Sequence, residues 1–418
     1  MIMLKLNHTG TRSEPAYTNK NRPSKGFWLM TLYLWLRSFP HLFWRRHHLQ
    51  KVNMKDIEKP YLLLSSHGCV LDFKVLVKTF FPRTPGNVVA LDAAVKRQKP
   101  VAWTGSFLTR KFSNDPTIVR NMLYVLRKQK RSVSLFVEAR YTLDGRNQVI
   151  PDSLGKLAKL MGVPVVVLLN PGHHLVKPYW HPYRRKLRTH SVLTQILTRE
   201  AVETMPVEAI NAAIHDAFVY DDYAWQKETG TLIRDKQRAV GLENILYRCL
   251  DCGIEHHMTT TMDQLICTAC GSTHTLHETG DLIAQTTPQT RTVPAWYDAQ
   301  KAAIETEIKN DAYGVEADVD LYMLPNIKGF ISLGKARFKH DAKGLVFTYN
   351  HDGEERTVKR EHAKQMAIHV AFKHHHGQDF IGYTVDGMTY FLGFNDADVS
   401  VTKISLAVEL FHRFAKKR

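Results

Sequence analysis

Four of the five cysteines fall into two Cys-x-x-Cys pairs, Cys249 with Cys252 and Cys267 with Cys270, with 14 residues between the pairs. Four thiolates at this spacing close one tetrahedral metal site, with zinc the expected ion. Gly253 and Gly271 follow the second cysteine of each pair and let the backbone turn tightly around the sulfurs. The spacing predicts a ribbon over 247–280, too small to fold without its metal. His256, His257 and His274 lie nearby, but four cysteines already fill the site. With only Cys69 left over, the pattern suits metal binding in a reducing compartment better than a disulfide framework. The ribbon also divides the 418 residues into two flanking regions that read differently.

Before the ribbon, short apolar runs alternate with helical spacing. Strands are expected at residues 60–64, 88–91, 132–137 and 163–169, with Pro164 at the start of the last. Helices are expected over 116–130 and 154–161. Alternation of this kind predicts an α/β layer architecture, ending near residue 225. Residues 226–246 read as a helical bridge and 281–310 as a linker, on the polar, proline-containing stretch Thr286 to Pro294. From 311 to 418 the pattern changes to short alternating segments. They are separated by turn signals at Asp341 to Gly344, His351 to Glu354 and Val385 to Gly387, which predicts an antiparallel sheet. A helix from about Val399 to Ala415 closes it, with Ile404, Val408 and Phe411 facing the sheet. This tail resembles a pleckstrin-homology-type module in pattern only.

Lys and Arg number 57 against 40 Asp and Glu, a formal charge of +17. Such an excess favours anionic partners: nucleic acid, an anionic membrane or phosphorylated substrates. Its placement narrows the choice. Arg37, Arg45, Arg46, Lys51, Lys55 and Lys59 directly follow the apolar run Phe27 to Leu36, within an N-terminal segment 1–59. No secretory signal is read in the polar first 26 residues. The apolar run stops at Arg37, short of the roughly 18 residues needed to span a bilayer. Its Trp and Tyr content suits a helix lying in the membrane interface, with the arginines meeting anionic phosphates. An anionic membrane surface is therefore an expected partner. The alternative is a hydrophobic helix packed on its own domain.

The region 60–225 carries the chemistry. His67 and Asp72 lie five positions apart, just past the first expected strand. An imidazole acts as a general base with a fixed tautomer when a carboxylate holds its other nitrogen. On a regular helix residues five apart diverge by roughly 140°, so the pair can cooperate only across a strand-to-helix turn, which Gly68 would ease. Three further blocks follow in order: Gly105-Ser106-Phe107-Leu108-Thr109-Arg110, Phe136-Val137-Glu138-Ala139-Arg140 and Val163-Pro164-Val165-Val166-Val167. This ordered set resembles the glycerolipid acyltransferase family, whose bacterial type is 1-acylglycerol-3-phosphate acyltransferase, over roughly residues 25–225, about half the chain.

The resemblance implies acyl transfer from a thioester, on coenzyme A or acyl carrier protein, to the hydroxyl of a lysophosphatidic acid-like acceptor. His67 would be the base and Asp72 its orienting group. Gly105, Phe107, Arg110, Glu138 and Arg140 would bind substrate, the two arginines through the acceptor phosphate, since their planar fork suits it. It also implies a peripheral, cytoplasmic location on the inner membrane face. The third block departs from the family pattern. Val137 replaces a proline, Ala139 replaces a glycine, and Tyr141 stands where the arginine is expected. The competing expectation is a silent lipid-binding scaffold whose ribbon binds a protein or nucleic acid; nucleic acid is not an expected partner of the enzyme.

Overall fold

The computed structural model describes residues 16–18, 22–113, 115–285, 289–375, 377–396 and 398–417. Most of the polar N-terminal stretch and part of the expected linker, residues 286–288, lie outside the described residues. The first sheet contains β1 (His48–Val52), β2 (Leu62–Ser65), β3 (Gly86–Ala90), β4 (Phe107–Thr109), β5 (Val133–Phe136), β6 (Val165–Leu169) and β7 (His190–Leu197). Their spatial order is β1-β7-β6-β2-β5-β3-β4. Strands β2 to β6 are mutually parallel, and β7 runs antiparallel to β6.

The central strands are covered on both sides, which is why they read as unbroken apolar runs. Leu63, Val166 and Leu168 pack with Leu71, Val75 and Leu76 of the helix Leu71–Phe80. Leu62, Leu64, Val165 and Val167 point the other way, towards Met122, Leu126, Leu154 and Ile210. Successive strand side chains alternate between faces. The helix Pro116–Arg127 starts where Asp115 accepts a 2.8 Å hydrogen bond from the Thr117 N–H, with Pro116 in its first turn.

The ribbon is an antiparallel sheet of β8 (Met258–Thr261), β9 (Gln264–Cys267), β10 (Thr273–Leu276), β11 (Asp281–Ala284) and β12 (Thr290–Thr292). The segment expected as a linker is thus partly strand. It continues directly into the helix Val293–Lys309, which the Thr292 hydroxyl caps by accepting from the Ala295 N–H. Pro294 opens this helix instead of breaking it, because a proline in the first turn loses no intrahelical bond. The expected helical bridge is helical only up to Glu228, with a further 3₁₀ turn at Leu242–Asn244.

The third sheet holds β13 (Val315–Asn326), β14 (Gly329–Asp341), β15 (Gly344–His351), β16 (Glu354–Arg360), β17 (His369–His375), β18 (Gln378–Val385) and β19 (Met388–Phe394). Its order is β16-β15-β14-β13-β19-β18-β17, antiparallel throughout. Three of its hairpins fall at the three expected turns, and the helix Val401–Lys417 closes the sheet with Ile404, Val408 and Phe411 buried.

These parts share one core. It runs from Val75 and Leu168 through Ile245 and Leu246 to the ribbon's Cys249, Leu265 and Cys267. It then passes Trp296 and Ile304 to Phe338, Phe347 and Ile404.

Near the N-terminus the helix Trp28–Phe43 buries Thr31, Ser38 and Leu42 and carries Pro40 in its last turn. Trp28, Leu29, Leu36 and Phe43 are exposed on it, and Phe27 and Trp44 at its ends. Among the described residues no helix is long and apolar enough to cross a membrane.

Candidate functional site

Strand β2, buried at every position, delivers the chain to Ser66 and His67 at its carboxyl end. The chain then turns through Gly68 and Cys69 into the helix Leu71–Phe80, with Asp72 in its first turn. Gly68 is required here: a Cβ on it would sit 2.9 Å from the His174 backbone nitrogen. The turn brings His67 Nδ1 to 3.2 Å from Asp72 Oδ2, which also accepts the Cys69 N–H at 2.9 Å. A carboxylate only accepts, so Nδ1 carries the proton and Nε2 is left as the basic nitrogen. Nε2 has no hydrogen-bond partner among the described residues, and 18% of the His67 side chain remains exposed.

The His67 ring lies between Phe136, at 4.1 Å between centroids, and Tyr141, at 4.2 Å. Tyr141 thus covers the imidazole from the position where the family pattern carries an arginine. Glu138, at the carboxyl end of β5, fastens the His67 backbone. Its carboxylate accepts the His67 N–H at 3.1 Å, the Gln148 N–H at 2.9 Å and the Tyr220 hydroxyl at 3.0 Å. Burial nevertheless pushes this carboxyl up to about 7. Ala139, with φ of 54°, occupies the left-handed region that favours glycine.

Asp72 has a second histidine partner that spacing did not reveal. His173 follows β6 after Asn170-Pro171-Gly172, is fully buried, and places Nδ1 2.7 Å from Asp72 Oδ1. Burial by itself would raise the Asp72 carboxyl; the hydrogen bonds from His173 and His67 outweigh it and hold the group below its ordinary value. Burial and the adjacent Asp72 push the Cys69 thiol well up, so it is no nucleophile. His67, Glu138 and His173 thus follow three neighbouring parallel strands, β2, β5 and β6. The carboxyl ends of such strands are where open α/β sheets bind ligands. A His pair one Pro-Gly turn beyond a buried strand was the signal available for His173.

The other expected substrate residues have different surroundings. Arg110 donates to the carbonyls of Leu324, at 2.8 Å, and Pro325, at 2.6 Å, and to the Thr389 hydroxyl, at 3.0 Å, all in the third sheet. Arg140 is ion-paired with Glu409 and donates to the Ile368 carbonyl, the Ser405 hydroxyl and Gln148. Both guanidinium groups therefore clamp the C-terminal domain onto the first sheet. Gly105, with φ of 71°, lets the Arg131 guanidinium lie where a side chain would stand. Phe107 is core, packed among Met122 and Val133. The C-terminal domain also reaches towards His67: Tyr141 contacts Tyr179 at 5.5 Å, and Tyr179 contacts Phe372 of β17 at 5.9 Å.

In the ribbon, Cys249, Cys252, Cys267 and Cys270 gather with every sulfur within 4.8 Å of the others. Two of the separations are 3.8 Å. A tetrahedron of Zn–S bonds of about 2.3 Å has edges of about 3.8 Å, so the set fits structural zinc. Gly253 and Gly271 both have φ of 77°, as the tight knuckles require. Cys249 and Cys267 are buried and Cys252 and Cys270 exposed.

No family model matches the chain, and no curated protein matches it. Among solved structures, the chain is similar to the crystal structure of the 1-acyl-sn-glycerophosphate (LPA) acyltransferase PlsC from Thermotoga maritima. The likeness has 12% identity and a TM-score of 0.33, and covers 44% of this chain and 76% of that one.

Proposed function

We propose that the protein transfers an acyl group from a thioester to the hydroxyl of a lysophospholipid, with lysophosphatidic acid as the reference acceptor. The observation that carries this is the His67–Asp72 pair at the ends of parallel strands, with Nε2 of His67 unbonded among the described residues and partly exposed. Nε2 takes the proton of the acceptor hydroxyl as its oxygen attacks the thioester carbonyl carbon. Asp72 stabilises the imidazolium that forms. The tetrahedral intermediate collapses, the C–S bond breaks, and the leaving thiolate takes the proton from His67. The products are an ester and a free thiol, on coenzyme A or acyl carrier protein.

Arg110 and Arg140 hold carbonyls, hydroxyls and Glu409. An acceptor phosphate reaches them only where those bonds open. The ribbon is proposed as a zinc-bound brace, because two of its ligands are part of the shared core. The exposed apolar side chains of the helix Trp28–Phe43 are proposed to meet an anionic membrane surface, on the inner, cytoplasmic face. Supporting this, Lys74 on the neighbouring helix is pushed down to about 8 by burial and by the positive charges of Arg184, Arg37 and Arg45.

The test is acyl transfer by purified protein in mixed micelles with oleoyl-coenzyme A, comparing wild type with His67→Ala. The acceptor panel runs from lysophosphatidic acid and glycerol 3-phosphate to an uncharged monoacylglycerol. Ester formed by wild type alone supports the reading. Equal turnover by both proteins removes the mechanism, and no ester on any acceptor removes the proposed activity.

A further inference from the structure

Asp72 is buried to the last atom and has two oxygens to satisfy. Oδ2 receives the His67 Nδ1–H and the Cys69 N–H, while the hydrogen bond to Oδ1 comes from His173 Nδ1. A buried carboxylate oxygen without a donor is strongly disfavoured, and such a group responds by taking up a proton. A protonated Asp72 could no longer stabilise an imidazolium on His67. We propose that His173 is a positioning residue: its Nδ1–H keeps Asp72 ionised and fixed in the rotamer that orients His67. The inference rests on the acyl-transfer reading for its kinetic consequence, but its structural half is independent of any substrate.

Among the described residues the neighbourhood offers no substitute donor. The titratable groups around the pair are the Cys69 thiol, Glu138 beneath the His67 backbone, Tyr141 on its ring, Tyr220 on Glu138 and Asp222 on the His174 N–H. None of them bonds Asp72. Among the described residues the His173 ring has no second hydrogen-bond partner either. Its Nε2 is buried and unbonded, as are Nε2 of His47, whose ring lies 6.2 Å away, and Nδ2 of Asn170. An imidazole held by a single hydrogen bond, aimed at one carboxylate oxygen, is a donor set for that carboxylate. Cys69 Sγ, Asp72 and His173 also lie close enough to hold a cation. The 2.7 Å contact between Nδ1 and Oδ1 is instead the length of a charge-assisted hydrogen bond.

The experiment compares wild type, His173→Asn and His173→Leu in the full chain. Asparagine keeps an N–H donor, and leucine keeps only bulk. Two readouts are taken. The first is the pH dependence of diethyl pyrocarbonate modification at His67, which reports its imidazole without needing a substrate. The second is kcat and KM across the pH range.

The leucine variant is expected to become reactive at His67 at lower pH than wild type, because the neighbouring anion is lost. Its kcat is expected to fall by about tenfold or more with KM unchanged. Asparagine is expected to restore most of both. An unchanged His67 titration in the leucine variant would overturn the proposal, as would an asparagine variant as impaired as leucine. A second zinc ion per chain that disappears in the leucine variant would put a metal where the proton is proposed, and would overturn it too. If no acceptor is turned over by wild type, the acyl-transfer reading fails while the His67 titration still decides the role of His173.

Discussion

In the ribbon, every chemical group comes from one stretch of chain, Cys249 to Cys270, and the intervening residues only have to form a hairpin. The His67 pocket takes Asp72 from the adjoining helix, Glu138 and Tyr141 from beyond β5, His173 from beyond β6 and Tyr220 from further still. Its outer aromatic wall reaches Phe372, in another sheet. The first site is fixed by local spacing and a metal. The second exists only when the parallel sheet has closed. Chemistry built within one hairpin needs no other part of the fold to assemble; chemistry built across strand ends fails whenever the packing does.

If the ribbon is a brace, removing its metal should have the largest effect of any perturbation. A four-thiolate zinc site contributes on the order of 10 kcal/mol. Its buried cysteines lie in the core that the C-terminal sheet also uses. Chelation, or Cys249→Ser with Cys267→Ser, should therefore melt the chain as a whole, read by circular dichroism beside metal content. An unchanged melting curve after zinc loss would make the ribbon a detachable appendage and erase the contrast.

The pocket should respond in the opposite way. His67→Ala should cost about a thousandfold in kcat with the melting curve preserved. Arg140→Ala leaves the buried Glu409 with only the longer 3.5 Å contact to Lys301 and should destabilise by about 3 kcal/mol. Removing both should cost less than the sum of the single changes. Simple additivity in urea unfolding would deny the clamp between the two domains.

Smaller effects sharpen the picture. Burial lifts the Glu138 carboxyl from an ordinary 4.5 to about 7. The folded protein then holds a proton that the unfolded chain has released, so this group's contribution is present below about 4.5 and lost as pH rises through about 7. Glu138→Gln should flatten the fall in stability between pH 5 and pH 8 by up to about 3 kcal/mol. Asp222, lifted by burial to about 8, keeps a slope of the same sign. Ala139→Gly should relieve the left-handed backbone and stabilise by up to about 1 kcal/mol, visible as a small rise in melting temperature.

How much of this could be read from the chain follows from range. The four cysteines, the buried runs Leu62 to Leu64 and Val165 to Leu169, and the three hairpin turns of the tail are local patterns, and each stood in the sequence. The turn that joins His67 to Asp72 was legible because Gly68 and a five-residue spacing leave few ways to bring the two together. His173 was not, since nothing in its own neighbours says that a carboxylate 101 positions earlier needs a donor. Arg110 and Arg140 look like phosphate ligands from their local blocks. Apart from the Arg140–Gln148 contact, their hydrogen bonds run to residues more than 200 positions later. Pro294 read as a break because a helix start and a helix stop both tolerate proline, and only the Thr292 cap and the buried Trp296 decide between them.

The clamp also has a dimension in time. Arg140 and Glu409 are separated by 269 residues, which a ribosome adding about 5–20 residues per second takes roughly 13–54 s to translate. Throughout that interval the first sheet can form while Arg140 still lacks its ion-pair partner. The emerging half carries a guanidinium without its carboxylate, near an imidazole that Phe136 and Tyr141 of the same half already flank. Only the last helix to be synthesised supplies the carboxylate that pairs with Arg140 in the finished molecule.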